Sequence, residues 1–377
     1  MLYIDLPAEA DLLTLAAERA DACVSIYLPT TPLTQDIGQA RSALKNLAKE
    51  AAEQLHAAAF DKRRLALIDD HLTHLEADED FWAHQATSLA VLVTPDHLVT
   101  FRLPTTLKPM VEVADRFHIK PLFRALAFPD VAFVLSLSEN HARLVEIPAE
   151  GAAQTVKVPD MPRTMDEAGT RSKHRDKSPG GRFEGSKGED FHRRAYARRI
   201  DAALRPVLAG RRTPLILACV AELEQIYRTV NTYAHLAAET VRGNPDHLTD
   251  GALAEAARPI LRSTHAATIA AELDLYAKRG QTGRALSDLS TIGHAAVAGA
   301  VEMLMVDIDA VTLGTFDEVS GKATLSSGPA GKGTYDVTDA IAATVLRNGG
   351  RVVGVRKADL PDQNSPMAAV LRYAFTG

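Results

Sequence analysis

Cysteine is nearly absent from this sequence of 377 residues, in which only Cys23 and Cys219 occur. Each stands in an apolar run typical of a strand, so we expect two buried thiols. Neither a disulfide framework nor a cysteine zinc cluster can be built from them. The apolar runs are much shorter than the roughly 20 residues that span a bilayer. The start is acidic, at Glu9 and Asp11, where a secretory signal needs basic residues. These absences favour a cytoplasmic protein without a membrane partner.

Common enzyme signatures are also missing. The sequence contains neither the Gly-x-Ser-x-Gly elbow of serine hydrolases nor the Gly-x-Gly-x-x-Gly fingerprint of dinucleotide enzymes. His71, His74 and His84 suggest a metal site, but with no cysteine nearby, surface histidines are the favoured interpretation. We therefore expect no metal and no cofactor.

A hydrophobic content of 46% is typical of a globular protein with buried cores. Apolar periodicity predicts alternating helices and strands in the first third of the chain. The predicted helices are Pro7–Ala20, Asp36–Leu55, Asp61–Leu75 and Pro121–Ala127. The predicted strands are Ala22–Leu28, Ser88–Val93, His97–Leu103 and Val111–Phe117.

The remaining two thirds continue this alternation. Strands are predicted at Val131–Leu137, Ala142–Ile147, Pro214–Val220, Val301–Val306 and Arg351–Arg356, and the chain ends on an apolar stretch, Met367–Phe375. Helices are predicted at Glu189–Leu208, Ala221–Thr229, Asp250–Leu261, His265–Arg279, Leu286–Ala300 and Val337–Asn348. Glycines between residues 314 and 333 predict a loop-rich interval.

This order predicts an α/β protein whose sheets are mixed or partly parallel and covered by helices. We expect three domains: residues 1–128, 129–247 and 248–377. The last is predicted to be an α/β/α sandwich.

Basic residues are concentrated in one part of this chain, although its formal net charge is −6. We call residues 169–199 the basic segment. Its first part lacks large apolar residues and predicts a long exposed loop, with glycines 180 and 181 at the tip. The candidate RNA-binding residues are Arg171, Lys173, His174, Arg175, Lys177, Lys187, Arg193, Arg194, Arg198 and Arg199. Such density favours phosphate contact, and a solvated charged surface is the alternative.

The order of features resembles the archaeal and eukaryotic class-1 release factors and Pelota, and more narrowly their bacterial relatives. In that family a strand pair precedes a basic Gly-Gly-Gln loop, a basic helix and a strand. Residues 133–147, Gly180-Gly181, 191–199 and 214–219 follow that order. Residues 299–305 and 367–373 are similar to family motifs of the C-terminal domain, whose fold resembles a ribosomal-protein domain that binds kinked RNA.

Two departures from the family pattern limit what the resemblance implies. The decoding signature Asn-Ile-Lys-Ser is absent, so stop-codon reading is not expected. Arg182 stands where the family has the glutamine that helps to place a water against the peptidyl-tRNA ester. A guanidinium only donates hydrogen bonds and cannot accept one from water. The resemblance therefore gives Gly180, Gly181 and Arg182 as the candidate catalytic tip, with hydrolysis in question.

The leading hypothesis is a release-factor-like translation factor that binds the ribosomal A site during rescue, stalling or dormancy. It would contact rRNA or peptidyl-tRNA, and no DNA partner is expected. Whether it is an enzyme stays open. One alternative is peptidyl-tRNA hydrolysis on stalled ribosomes, and another is an RNA-binding module acting off the ribosome. The sequence does not identify a partner GTPase.

Overall fold

The computed structural model describes residues 3–31, 37–127, 131–149, 152–168, 186–211, 213–326 and 334–375, and the side chains of residues 186–189 are not described. The described residues form two compact units. The central unit runs from Pro129 to Ala267, and the second unit combines Leu2–Phe128 with Thr268–Gly377. The fold is mixed α/β, as predicted from the alternation of helices and strands. The division into three domains stays a prediction.

The N-terminal part of the second unit is an antiparallel sheet in the order β3-β2-β1-β4. Its strands are β1 (Cys23–Pro29), β2 (Ser88–Val93), β3 (Leu98–Leu103) and β4 (Met110–Ala114). Its helices are α1 (Glu9–Ala17), α2 (Ile37–Ala57), α3 (Lys62–Ala77), α4 (Glu79–Ala83) and α5 (Lys120–Ala127). The apolar stripes of α2 and α3 pack on one face of the sheet, while α1 and α5 contribute to the core on the other. The periodicity thus placed these elements correctly, and it missed α4.

The central unit is a five-stranded sheet in the order β7-β6-β5-β8-β9, in which β5, β8 and β9 run parallel. Its strands are β5 (Val131–Leu137), β6 (Ala142–Pro148), β7 (Gln154–Val156), β8 (Leu215–Cys219) and β9 (Leu236–Arg242). Alternate residues of β5 face opposite sides of the sheet. One side packs against α6 (Ser186–Leu208) and α7 (Ala221–Val230). The sheet is partly parallel and covered by helices, as predicted, although β7 and β9 were not predicted.

One long helix, α8 (Asp250–Gly280), replaces the two helices predicted here. Its leucines 253 and 261 cover the other face of the central sheet. The predicted break near Ser263 and Thr264 was wrong because both hydroxyls donate to the carbonyl of Ile260, at 2.9 Å each. Such back-bonding gives the hydroxyls of serine and threonine a partner when these residues lie inside a helix.

The C-terminal part of the second unit has a four-stranded sheet in the order β10-β16-β11-β15. The strands are β10 (Ala285–Leu286), β11 (Val301–Asp307), β15 (Arg351–Val355) and β16 (Met367–Leu371). Helices α9 (Leu289–Val297) and α10 (Val337–Arg347) pack on one face, and the second half of α8 on the other. The α/β/α arrangement predicted for this region is therefore present.

A small second sheet lies in the interval predicted to be loop-rich. It consists of β12 (Leu313–Phe316), β13 (Ala323–Leu325) and β14 (Tyr335–Asp336). Gly314 is required here, because a Cβ at this position would lie 2.2 Å from the carbonyl oxygen of Thr324. The glycine permits close strand pairing, whereas the sequence alone suggested a turn.

Buried polar groups join the N-terminal and C-terminal parts of the second unit. Lys120 is fully buried, and its Nζ donates to Oδ2 of Asp336 at 2.5 Å and to Oγ1 of Thr338 at 3.0 Å. Asp339 accepts the backbone N–H groups of Ile119 at 2.9 Å and Lys120 at 2.6 Å. A buried charge is tolerated only when it is paired and hydrogen-bonded. This lysine therefore fixes α5 against the start of α10.

Candidate nucleic-acid interface

The residues predicted for the tip of the basic segment lie outside the described residues. This applies to Gly180, Gly181, Arg182, Arg171, Lys173, His174, Arg175 and Lys177. Lys187 belongs to α6, but its side chain is not described. The structure therefore bears on the four predicted arginines that follow on α6.

Helix α6 is positioned by an apolar stripe at helical spacing. Tyr196, Ala197, Ile200 and Leu204 are buried against the central sheet, each exposed by 1% or less. Since this stripe occupies one face of the helix, the intervening arginines must lie on its flanks or its solvent face.

Arg193 and Arg199 are engaged within the protein. Nε of Arg193 donates to Oε1 of Glu139 at 2.6 Å, and both side chains are partly exposed. Nη1 of Arg199 donates to the carbonyl of Ala168 at 2.6 Å. Their donors hold α6 against the loop after β5 and against the chain before residue 169. These two arginines therefore have a structural role.

The chain that leads to residue 169 is fixed as well. The backbone carbonyl of Arg163 accepts hydrogen bonds from the backbone N–H of Ala142 at 2.6 Å and from the Tyr196 hydroxyl at 3.3 Å. The N–H of Met165 donates to the carbonyl of Glu139 at 2.9 Å. Met165 and Ala168 are buried in the core beside α6. Residues 163–168 and the helix after residue 185 are thus both anchored to the same end of the sheet.

Arg194 and Arg198 differ from Arg193 and Arg199 in their bonding, although Arg199 is also exposed. Both are exposed, and neither makes a hydrogen bond or ion pair with another described residue. With about 100° between successive residues, they lie about 40° apart around the helix axis. They therefore form one exposed cationic stripe, whose guanidinium donors face solvent.

An open cleft of about 350 Å³ lies beside α6, at the carboxyl ends of β5, β8 and β9. In parallel sheets this edge commonly holds the functional site. Its walls are Ser138, Glu139, Asn140, Arg193, Val220, Glu222, Leu223, Asn244 and Asp246. Acids predominate among its charged groups. The cleft is consequently unsuited to a phosphate.

Asp246 is the best-defined acid of the cleft. Burial opposes its ionisation, but hydrogen bonds from Ser138 and Asn140 lower the pKa of the carboxyl below its ordinary value. The Ser138 hydroxyl donates directly to this carboxylate. A serine nucleophile instead needs a histidine base placed between hydroxyl and acid. This pair therefore stabilises the loop after β5 and does not form a hydrolytic site.

Sequence reasoning missed Glu139 and Asp246, since each is an isolated acid in a loop. No group of three or more His, Cys, Asp or Glu residues within the described ranges is arranged to hold a metal ion. His74 and His84 each bond to the backbone carbonyl four residues earlier. In the described part of the chain, no helix has the length and apolarity needed to cross a membrane.

Comparison with known proteins gives one family match. Residues 129–267 match the model of bacterial archaeo-eukaryotic release factor family 11. This range coincides with the described central unit, including the cleft and α6. No curated protein matches the chain.

Solved structures from the translation machinery also align with the chain. The archaeal translation termination factor aRF1 is 16% identical, over 98% of this chain and 99% of that one, with a TM-score of 0.24. Dom34 of S. cerevisiae, a translation termination-like factor, is 12% identical over 76% of this chain and 80% of that one, with a TM-score of 0.44. Pelota of Archaeoglobus fulgidus is 13% identical over 99% of this chain and 95% of that one, with a TM-score of 0.31. Residues 129–267, the central unit of the chain, are therefore similar to bacterial archaeo-eukaryotic release factor family 11.

Proposed function

We propose that this protein is a release-factor-like translation factor of the cytoplasm that binds the ribosome in its A site. It acts in rescue, stalling or dormancy and does not read stop codons. The observation that carries the proposal is the exposed pair Arg194 and Arg198 on the helix that follows the basic Gly-Gly loop. This helix lies in the unit that matches the release-factor family.

Local charge supports RNA as the partner. The chain carries 48 acids and 42 Lys and Arg residues, so the whole molecule does not attract a polyanion. A phosphate backbone is bound where arginine donors are concentrated and unpaired, because each contact releases counterions from the nucleic acid. Arg194 and Arg198 meet this condition as far as the described residues show, and the bonds of Arg193 and Arg199 hold the helix that presents them.

Sedimentation tests the proposal. We expect the protein to cofractionate with ribosomes or their subunits at low salt. The double variant Arg194→Gln/Arg198→Gln should bind about tenfold more weakly, since two phosphate contacts are lost.

The matched control is Arg63→Gln/Arg262→Gln, which removes two exposed arginines on α3 and α8. This control should sediment like the wild type. The proposal fails if the wild type never cofractionates, or if both double variants lose binding equally.

A further inference from the structure

Phe191 is a large apolar side chain in a place where the fold does not need one. It is 70% exposed, on the first turns of α6. Around the helix axis it lies about 180° from the buried Ile200. Its ring contact within the described residues is the adjacent His192, edge-to-face with 5.7 Å between ring centroids. The ring therefore has a free face directed to solvent.

The surroundings of Phe191 are cationic. Helical geometry places Arg194 and Arg198 within about 60° of Phe191 on the same stripe, and Arg198 about 10 Å further along the axis. Asp190 lies 3.7 Å from Nη1 of Arg193, and Asp201 is buried beside Arg205. Of the two acids of α6 whose side chains are described, Asp190 is thus paired with Arg193 and Asp201 with Arg205.

We infer that Phe191 stacks on an unpaired RNA base whose flanking phosphates contact Arg194 and Arg198. An aromatic ring beside arginines is the arrangement by which proteins bind single-stranded nucleic acid: the ring takes the face of a base and the guanidiniums take the backbone. This inference rests on the proposed function and names the element of RNA that the exposed stripe recognises.

Charge complementarity favours RNA over a protein partner. The centre of a protein interface is depleted of charged groups and excludes water around an aromatic anchor. Here the aromatic ring lies beside two guanidiniums that have no partner among the described residues. A protein that bound this surface would have to supply acidic side chains to pair with both guanidiniums. A nucleic-acid strand supplies both the base face and regularly spaced phosphates.

Direct binding of short RNA tests the inference. The probes are a labelled, unstructured ten-nucleotide RNA and the same backbone with abasic positions, and anisotropy gives the affinity. Phe191→Leu should weaken binding of the first probe by roughly 5- to 150-fold, the range of one base–aromatic stack, and leave the abasic probe unchanged. Phe191→Trp should keep the affinity, and RNA should quench its fluorescence. The natural Trp82 is 1% exposed and should give a constant background.

Several results would decide the matter. Equal affinity of wild type and Phe191→Leu for the base-containing RNA overturns the inference, and so does an equal loss for the abasic probe. If the leucine variant loses ribosome binding but not RNA binding, Phe191 contacts a protein and the inference is also overturned. If the wild type fails to bind ribosomes while the base-dependent loss persists, the proposed function fails and the stacking role is supported. Thermal unfolding of both variants should match the wild type, since the side chain is exposed.

Discussion

Glu139 bonds the chain on both sides of residues 169–185. Its Oε1 accepts from Nε of Arg193 at 2.6 Å, while its backbone carbonyl accepts from the N–H of Met165 at 2.9 Å. One residue in the loop after β5 thus fixes the chain before the Gly-Gly loop and the helix after it.

Loss of the Glu139 carboxylate should destabilise the central unit. Glu139→Ala leaves the bond to Met165 intact but removes the acceptor of the Nε donor of Arg193. Because both side chains are partly exposed, we expect a loss of about 1 kcal/mol in the free energy of unfolding. Urea denaturation measures it.

A double-mutant cycle with Arg193→Ala isolates the pair. If Glu139 and Arg193 interact, the double variant should lose less stability than the two single variants together. Additive losses would contradict a stabilising bond. Arg194→Ala is the matched control, and we expect its unfolding to be unchanged.

The salt dependence of RNA binding should separate exposed arginines from structural ones. Arg194→Gln should reduce the slope of log K against log salt concentration by about 0.7, the value for one contact to a single strand, at unchanged stability. Arg199→Gln should lower the unfolding temperature instead. Anisotropy titrations at several salt concentrations, with thermal melts, measure both effects. Unchanged slopes for Arg194→Gln would exclude a phosphate contact.

Substitution of Lys120 should strongly lower the stability of the second unit. Lys120→Met leaves the carboxylate of Asp336 buried without its cation, since both side chains have no exposed area. Breaking such a pair on one side costs about 3 to 5 kcal/mol in the free energy of unfolding. Guanidinium denaturation gives the value.

The compensating variant is Lys120→Met/Asp336→Asn. Asparagine keeps an oxygen for the N–H groups of Thr312 and Thr338, which donate to Oδ1 of Asp336 at 3.1 Å each. With the charge removed, we expect the double variant to be more stable than Lys120→Met alone. If the double variant were less stable than Lys120→Met, the loss of stability would not come from an unpaired Asp336 carboxylate.

Stability of the second unit should fall between pH 6.5 and 8. Burial, reinforced by the charge of Asp336, raises the pKa of Asp339 to about 8, whereas this group is ionised in the unfolded chain. The folded state then binds more protons, so rising pH favours unfolding, by about 1 to 2 kcal/mol over this range. Burial lowers the pKa of His118 to about 4, so this group binds protons mainly in the unfolded state and makes a smaller, opposing contribution that ends within about one pH unit above its ordinary pKa of 6.5. Burial also raises the pKa of Glu112 to about 7, so this group adds to the decrease in the free energy of unfolding as the pH rises.

Asp339→Asn tests this pH dependence. The variant keeps a side-chain oxygen for the N–H groups of Ile119 and Lys120 but cannot ionise. Urea unfolding at pH 6.5, 7.2 and 8 should therefore show a flatter profile, and Glu112→Gln should remove only the part below about pH 7. A profile identical to that of the wild type would rule out Asp339 as the source.

Local patterns in the sequence determined most of the elements. The run Ser88–Val93 was predicted as a strand and is β2, because a buried apolar run of six residues is too short for a typical helix and has the usual length of a strand. The apolar steps of α2 gave its helix within two residues at each end. The break predicted within α8 failed because Ser263 and Thr264 bond back to their own helix, which composition does not reveal.

Tertiary structure alone decides which of the predicted arginines are bonded within the protein. Arg193, Arg194, Arg198 and Arg199 have the same side-chain chemistry and lie within two turns of one helix. The acceptor of Arg193 is 54 residues away in the chain and that of Arg199 is 31 residues away. The sequence by itself determines that the region is basic and that its order of features resembles that of release factors. Only the folded chain shows that two of these charges are held internally, since hydrogen bonds depend on distances between residues far apart in sequence.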